Sequence, residues 1–252
     1  MDQKSVPERV SVVGGGRLGQ ALAAALRGAG VEVAGPSGRG ERPAPADAVL
    51  LCVQDAEIPA AATAASRQAP YVGHTSGATP LSVLAGVSGS AFRLHPLQTF
   101  AGGEPPERFV GAGCAVAGTT TEALALATAL AEMLGMRHFA ITDELRPAYH
   151  GAASLASNFL VTLMSAAEDA AGAAGIEAAE ARSLLAPLVW STVENWVSMG
   201  PERALTGPLA RGDEATVAAQ RAALEEAAPE LLTLFDSLAE HTRGLAGRKA
   251  LA

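Results

Sequence analysis

The run from Val10 to Gly19, VSVVGGGRLG, limits what this chain can fold into more than any other stretch. Three valines and a serine end in Gly14, Gly16 and Gly19 at GxGxxG spacing, with Arg17 and Leu18 between the last two glycines. An Ala/Leu-rich stretch, QALAAALRGAG, follows at once and leads into a second β-type run, Val31 to Gly35. Strand, tight turn, helix, strand is the context in which this motif binds a dinucleotide. Gly14 permits the turn, Gly16 lets a pyrophosphate approach the backbone, and Gly19 lets the helix pack close to the strand. The phosphates then lie on the helix N-terminus.

The end of the second strand suggests which dinucleotide. An NAD site places a carboxylate there to hold the ribose hydroxyls. This chain has Gly35-Pro36-Ser37-Gly38-Arg39 instead. Ser37 can donate a hydrogen bond to a 2′-phosphate, and Arg39, helped by Arg17 or Arg42, can pair with it. NADP is therefore favoured over NAD. The plainer alternative is that Arg39 and Arg42 are solvated loop arginines.

Composition bounds the partners. The 252 residues are 49% hydrophobic and 17% charged, and the net charge of -8 argues against nucleic acid or an anionic membrane as the main partner. The N-terminus has no apolar h-region, and no charge-free run approaches the roughly 20 residues of a membrane span. A cytoplasmic location is expected. Cys52 and Cys114 lack metal-ligand spacing and read as buried free thiols. No HExxH, CxxC or carboxylate cluster suggests a metal. The only lysines, Lys4 and Lys249, lie near the chain ends, which disfavours lysine chemistry.

Two textures divide the chain into expected domains at 1–142 and 143–252. In the first, short apolar runs at Val10–Val13, Val31–Gly35, Ala48–Val53, Tyr71–Thr75, Phe92–His95, Cys114–Ala117 and His138–Ile141 alternate with Ala-rich helices. That pattern predicts an α/β Rossmann domain with a parallel sheet covered on both faces. Ligands bind outside the carboxyl ends of such strands, which places Val53, Gln54 and Asp55, Thr75, Ser76 and Gly77, and His95 along one cleft. Thr119 to Glu122 reads as a capping box, and Thr142 or Asp143 as the cap of the next helix. From there the chain reads as all-helical. One helix is expected from Glu144 to about Ala174 and another from Glu177 to Met199, kinked at Pro187. The loop ALTGPLARGD, Ala204 to Asp213, precedes helices at Glu214–Ala227 and Pro229–Thr242, the former capped by Asp213. The long helix is apolar around much of its circumference, which suggests packing against a second subunit in a homodimer.

On that long helix His150, Ser154 and Asn158 are spaced i, i+4, i+8 and share one face among alanines. Polar groups on an apolar stripe need partners, and either a cofactor-facing cleft or a buried hydrogen-bond network supplies them. Tyr149 is adjacent, and His95 sits where a strand ends at Pro96.

The runs YHGAASLASN (Tyr149 to Asn158), ALTGPLARGD, HTSG (His74 to Gly77) and HPLQTF (His95 to Phe100) resemble, in this order, bacterial proteins that pair an N-terminal Rossmann-like domain with a C-terminal domain of the type labelled DUF2520. The resemblance implies membership of the 6-phosphogluconate dehydrogenase-like superfamily, a helical C-terminal domain that dimerises, and an oxidoreductase activity. Some relatives look like ketopantoate reductases, and the HTSG and HP segments are similar to the serine and histidine segments of prephenate dehydrogenases, here Ser76 and His95. The chain departs from hydroxyacid dehydrogenases in lacking a lysine on the first helix of its second domain.

The expected reaction is hydride transfer from NADPH, its nicotinamide against Val53 to Asp55, to the C=O of a small anionic 2-oxo acid such as ketopantoate, held between the domains. His150 donates the proton or hydrogen bond, with Tyr149 and His95 as other candidates. Thr75, Ser76, Ser154, Asn158 and Thr206 orient the substrate, and Arg211, from its own or the partner subunit, clamps a carboxylate. The alternatives are a cyclic imine or a prephenate-like substrate, or a non-catalytic NADP-sensing dimer.

Overall fold

The structure is a computed structural model that describes residues 6–249; Lys4 lies outside them. The chain forms two compact units that divide between Ser157 and Asn158. This is beyond the division at 142/143 suggested by the change of texture, because the first helix after the last strand belongs with the sheet.

The first unit opens with β1 (Arg9–Val13), α1 (Arg17–Gly28), β2 (Glu32–Ser37), β3 (Ala48–Leu51), α2 (Ile58–Ala65), β4 (Tyr71–His74) and β5 (Ser90–Leu97). It continues with β6 (Gly113–Gly118), α3 (Thr121–Met133), β7 (Arg137–Ala140) and α4 (Arg146–Ala156). The strands form one sheet in the order β2-β1-β3-β4-β5-β6-β7. All seven expected strands are present. The near-continuous apolar runs of the five inner strands, β1 and β3 to β6, are buried, as a sheet covered on both faces requires, whereas the edge strands β2 and β7 are half-buried or exposed. One core gathers Leu22, Leu26, Phe92, Leu94, Leu130 and their neighbours, and the other gathers Leu51, Ile58, Val72 and Leu84.

The sheet is not wholly parallel. β5 and β6 pair antiparallel, with His95 opposite Ala115, while β6 and β7 are parallel to each other. The cause is the connection. A parallel return needs a crossover, usually helical, and the Gly/Pro-rich stretch from 98 to 112 forms only a short 3-10 turn at Pro106–Phe109.

Local signals also resolve differently from the expectation. α3 is capped by Thr120, whose side chain accepts from the Ala123 amide, so Glu122 falls one position short of a capping box. The Thr119 hydroxyl oxygen instead accepts from the Ala91 amide at 2.9 Å. Asp143 does not cap α4; the residue before that helix is Leu145.

The expected 30-residue helix is broken. Ser157, at φ -127 and ψ -76, ends α4, and its amide turns back to the Ser154 carbonyl. A new helix, α5 (Asn158–Ala173), begins at the next residue and opens the second unit. The stripe of His150, Ser154 and Asn158 is therefore not a continuous helical face.

The second unit continues with α6 (Ala178–Met199), which contains Pro187, then α7 (Pro201–Ala204), α8 (Pro208–Arg211), α9 (Glu214–Ala227) and α10 (Leu232–Lys249). Asp213 caps α9 as expected, accepting from the Thr216 amide at 3.1 Å. A bidentate pair between Arg182 and Glu168 ties α6 to α5, and Arg221 with Asp236 ties α9 to α10. No helix among the described residues is long and apolar enough to cross a membrane.

Candidate active site

Valines of β1 carry the chain into a turn that only glycine can make. Gly14 has φ +101, and a Cβ there would stand 2.3 Å from the Cys52 carbonyl oxygen. A Cβ on Gly19 would stand 1.9 Å from the Gly14 oxygen, so this glycine lets α1 press against the turn. Gly16 is different. A Cβ there meets nothing within 4 Å, so its backbone faces open space. Gly16 is also the residue before α1, whose first turn holds no acidic side chain and no side-chain cap. An uncapped helix N-terminus with an open approach is an anion site, and it fits a dinucleotide pyrophosphate.

The turn opens into a cleft of about 580 Å³, lined by Gly14 to Gly16, Gly38 to Glu41, Cys52 to Gln54, and Ala56, Glu57 and Ala60 of the next helical segment. Among the described residues Arg39 is the one cation lining it, and it pairs with Glu57; its side chain is 82% exposed. Glu41 accepts from the Gly38 amide at 2.7 Å. Of the residues expected here, Gly14, Gly16, Arg39, Val53 and Gln54 line the cleft, with Gly19 packed behind it. The Ser37 hydroxyl donates back to the Val12 carbonyl at 3.4 Å, and Leu18 packs against the core. Arg17 runs past Gly102, and Asp55 is exposed at the start of a 3-10 turn. Glu57 and Glu41 carry no motif and were not legible from the sequence.

A second cluster stands on the same edge of the sheet, beyond the carboxyl ends of β3, β4 and β5. After β4 the chain turns through Thr75, Ser76 and Gly77, all buried. The Thr75 hydroxyl donates to the Leu51 carbonyl at 3.3 Å. The Ser76 hydroxyl oxygen accepts from the Ala78 and Thr79 amides at 3.2 and 2.9 Å, and the Ser76 amide donates to His74 Nδ1. Ser76 thus shapes the turn.

Gly77 is where the histidines meet. A Cβ built there would lie 2.7 Å from His150 Nδ1 and 2.8 Å from His95 Nε2. His95 Nδ1 lies 2.8 Å from the Tyr149 hydroxyl, with the two rings edge to face. Burial, then Arg146, His150 and Arg93, push the His95 pKa down to about 4, with Asp55 opposing. Its imidazole is neutral at pH 7. Burial raises the Tyr149 phenol to about 12, so it stays protonated. His150, next along α4, is exposed.

Beneath the turn lies a group that the sequence did not announce. Arg93 of β5 and Arg146 of α4 are 0% and 1% exposed. Arg93 donates to Asp143 Oδ1 at 2.8 Å and to the Ile141 carbonyl at 3.0 Å. Arg146 Nη2 donates to the carbonyls of Ser76, at 2.8 Å, and Gly77. Asp143 also accepts from the Leu81 amide at 3.1 Å. An arginine inside the apolar run AFRLHP was the available signal for Arg93; Arg146, just before Pro147, reads like any charged helix start.

The remaining expected residues are on α4 and in the second unit. Ser154 is half-buried on α4. Asn158, Thr206 and Arg211 belong to the second unit and are exposed there, at the start of α5, before Gly207 and at the end of α8. The thiols of Cys52 and Cys114 are free and pushed up to about 12 by burial. Among the described residues no group of three or more His, Cys, Asp or Glu could hold a metal ion.

Solved structures share this architecture. Protein BF3122 of Bacteroides fragilis, whose assignment as an NADP oxidoreductase is provisional, superposes with a TM-score of 0.79 at 20% identity, over 94% of this chain and 98% of that one. Protein TM1727 of Thermotoga maritima gives 0.76 at 23% identity, over 96% and 99%. The pyrroline carboxylate reductase of Plasmodium falciparum, solved with NADP bound, gives 0.61 at 11% identity, over 94% and 98%. Among curated proteins, none matches the sequence. The model of the domain of unknown function DUF2520 matches residues 112–242, just over half of the chain, and the protein belongs to that family.

Proposed function

We propose that the protein is an NADP-dependent oxidoreductase that reduces a C=O or C=N carbon in a small carboxylate substrate at the strand-end edge of its first unit. The observation that carries this reading is the meeting of His95 Nε2 and His150 Nδ1 at Gly77, on the sheet edge that also holds the glycine cradle. The likeness to a pyrroline carboxylate reductase with NADP bound supports the same dinucleotide here and makes a cyclic imine a candidate substrate beside a ketopantoate-like 2-oxo acid.

Gly14 to Gly16 and the N-terminus of α1 would hold the pyrophosphate, and Arg39 would take the 2′-phosphate. When bound, the reduced nicotinamide supplies a hydride. The chain's own residues supply the rest. In this reading the Tyr149 hydroxyl is the donor to His95 Nδ1, 2.8 Å away, and the His95 proton is then on Nε2, pointed at Gly77. A neutral imidazole N–H there hydrogen-bonds the substrate oxygen or nitrogen as charge builds on it. His150, open to solvent, delivers the proton and is recharged by water. With no lysine between Lys4 and Lys249, the histidine pair is the proton source that this edge offers.

The test follows NADPH oxidation against ketopantoate, other 2-oxo acids and 1-pyrroline carboxylates, with direct titration of NADPH and NADH. Wild type is expected to bind NADPH more tightly than NADH, Arg39→Gln to remove that preference, and His150→Ala to lower turnover at least about 100-fold. Equal binding of the two nucleotides counts against NADP. Tight NADPH binding with no turnover of any substrate favours a sensor.

The second unit leaves Phe159, Val161, Leu184, Leu188, Trp190 and Trp196 exposed along α5 and α6, the last two at 68% and 57%. We propose that a second copy of the chain covers them, since so many large apolar side chains mark an interaction surface. Sedimentation is expected to give a dimer, and Leu188→Glu with Trp190→Glu to give monomers; a monomeric wild type refutes the assignment.

A further inference from the structure

We propose that Arg146 is the positioning residue of the histidine pair, clamping the Ser76–Gly77 turn so that His95 and His150 meet at one point. The inference rests on reading those two histidines as the polar pair of the active site. Arg146, Tyr149 and His150 stand at i, i+3 and i+4 and so share one face of α4. All three touch the strand-end edge. Arg146 grips two successive carbonyls, Tyr149 reaches His95, and His150 lies against Gly77. The arginine therefore fixes the rotation of α4 relative to the turn, and with it the position of His150.

A clamp made only for stability would not need this side chain. Arg146 Nε and Nη1 have no hydrogen-bond partner among the protein atoms, and Asp143 Oδ1 lies 3.8 Å from Nε while serving Arg93. A buried, partly satisfied guanidinium is costly to desolvate, and a well-packed apolar side chain of similar volume is commonly neutral or stabilising in its place. What an apolar side chain cannot do is bond both carbonyls and hold a positive charge beside the imidazoles. That charge acts on His95 together with Arg93 and His150, against Asp55. Burial is the main cause of a neutral His95, and this charge adds to it.

The test uses the full chain and reads the imidazole rings by NMR titration, which requires no substrate. In wild type, His95 is expected to remain neutral to about pH 4 as a single Nε2–H tautomer. In Arg146→Gln it is expected to titrate about one unit higher, with the tautomers averaged. Arg146→Met keeps the volume and serves as the second charge-removing variant should the glutamine variant not fold. Arg146→Lys is expected to restore the low titration, because the charge returns. A His95 titration and tautomer unchanged in the glutamine or methionine variant overturns the assignment, as does a lysine variant that behaves like the charge-free one. Absence of turnover in wild type would bear on the enzymatic reading alone, because the ring spectra are recorded without substrate.

Discussion

Asp143→Ala is expected to destabilise the first unit by about 2–3 kcal/mol, because it takes a charged hydrogen-bond partner from a fully buried arginine, while solvent that reaches the one-third-exposed carboxylate reduces the loss below that of a fully buried pair. Asp143 Oδ1 accepts from Arg93, which is fully buried, and lies 3.8 Å from Arg146 Nε, which is nearly so. Without the carboxylate, two guanidiniums face each other in the interior with no counterion in hydrogen-bond reach. Partial burial raises the Asp143 pKa, but the bonds from Arg93 and the Leu81 amide outweigh that and hold it below the ordinary range. Asp143→Asn retains an acceptor for the Leu81 amide and should lose less. Urea unfolding can separate the two units. Both tryptophans, Trp190 and Trp196, lie in the second unit and both tyrosines, Tyr71 and Tyr149, in the first. The loss should therefore appear in tyrosine signal and circular dichroism before it appears in tryptophan fluorescence. A loss under about 1 kcal/mol would mean that the arginines do not depend on this carboxylate.

What the sequence made legible was local. The glycine turn, the seven strands and the Asp213 cap each have a signature within a few residues, because turn geometry and strand burial dictate residue type at fixed offsets. The reversal of β6 was less visible, since it depends on what the 98–112 connection cannot do rather than on the strand itself. The break at Ser157 has no proline or glycine to announce it. Serine and asparagine offer the backbone other hydrogen bonds, and AASLASN reads in sequence as unbroken helix. Least legible was the pairing beneath the histidines. Arg93 and Asp143 are 50 positions apart, and in sequence Asp143 reads as a helix cap. Only the sheet order, which sets β5 beside β4, brings them to the Ser76 turn.

The same cluster makes stability depend steeply on mild acid. Burial, then Arg93 and Arg146, lower His74 from 6.5 to about 4, and His95 falls to about 4 as well. Both histidines bind a proton more readily in the unfolded chain than in the folded one. Between pH 6.5 and 4 the unfolded state therefore takes up more protons, and stability must fall as pH falls through that window. For His74, which is fully buried, the shift corresponds to roughly 3 kcal/mol; His95, half-buried, contributes less. Asp143 acts in the same direction but lower. Its depressed pKa contributes stability that is complete above the unfolded carboxylate value, about 3.9, and is lost as pH drops through the folded value. Melting temperature is thus expected to decline in two stages, the first governed by histidine and the second by carboxylate. His74→Gln removes the larger histidine contribution and should flatten the first stage while leaving the second in place. A melting temperature constant from pH 7 to 4.5 would mean that His74 and His95 accept protons in the folded state as easily as in the unfolded one, and hence that neither burial nor the two arginines disfavours charge at the edge where the histidines meet.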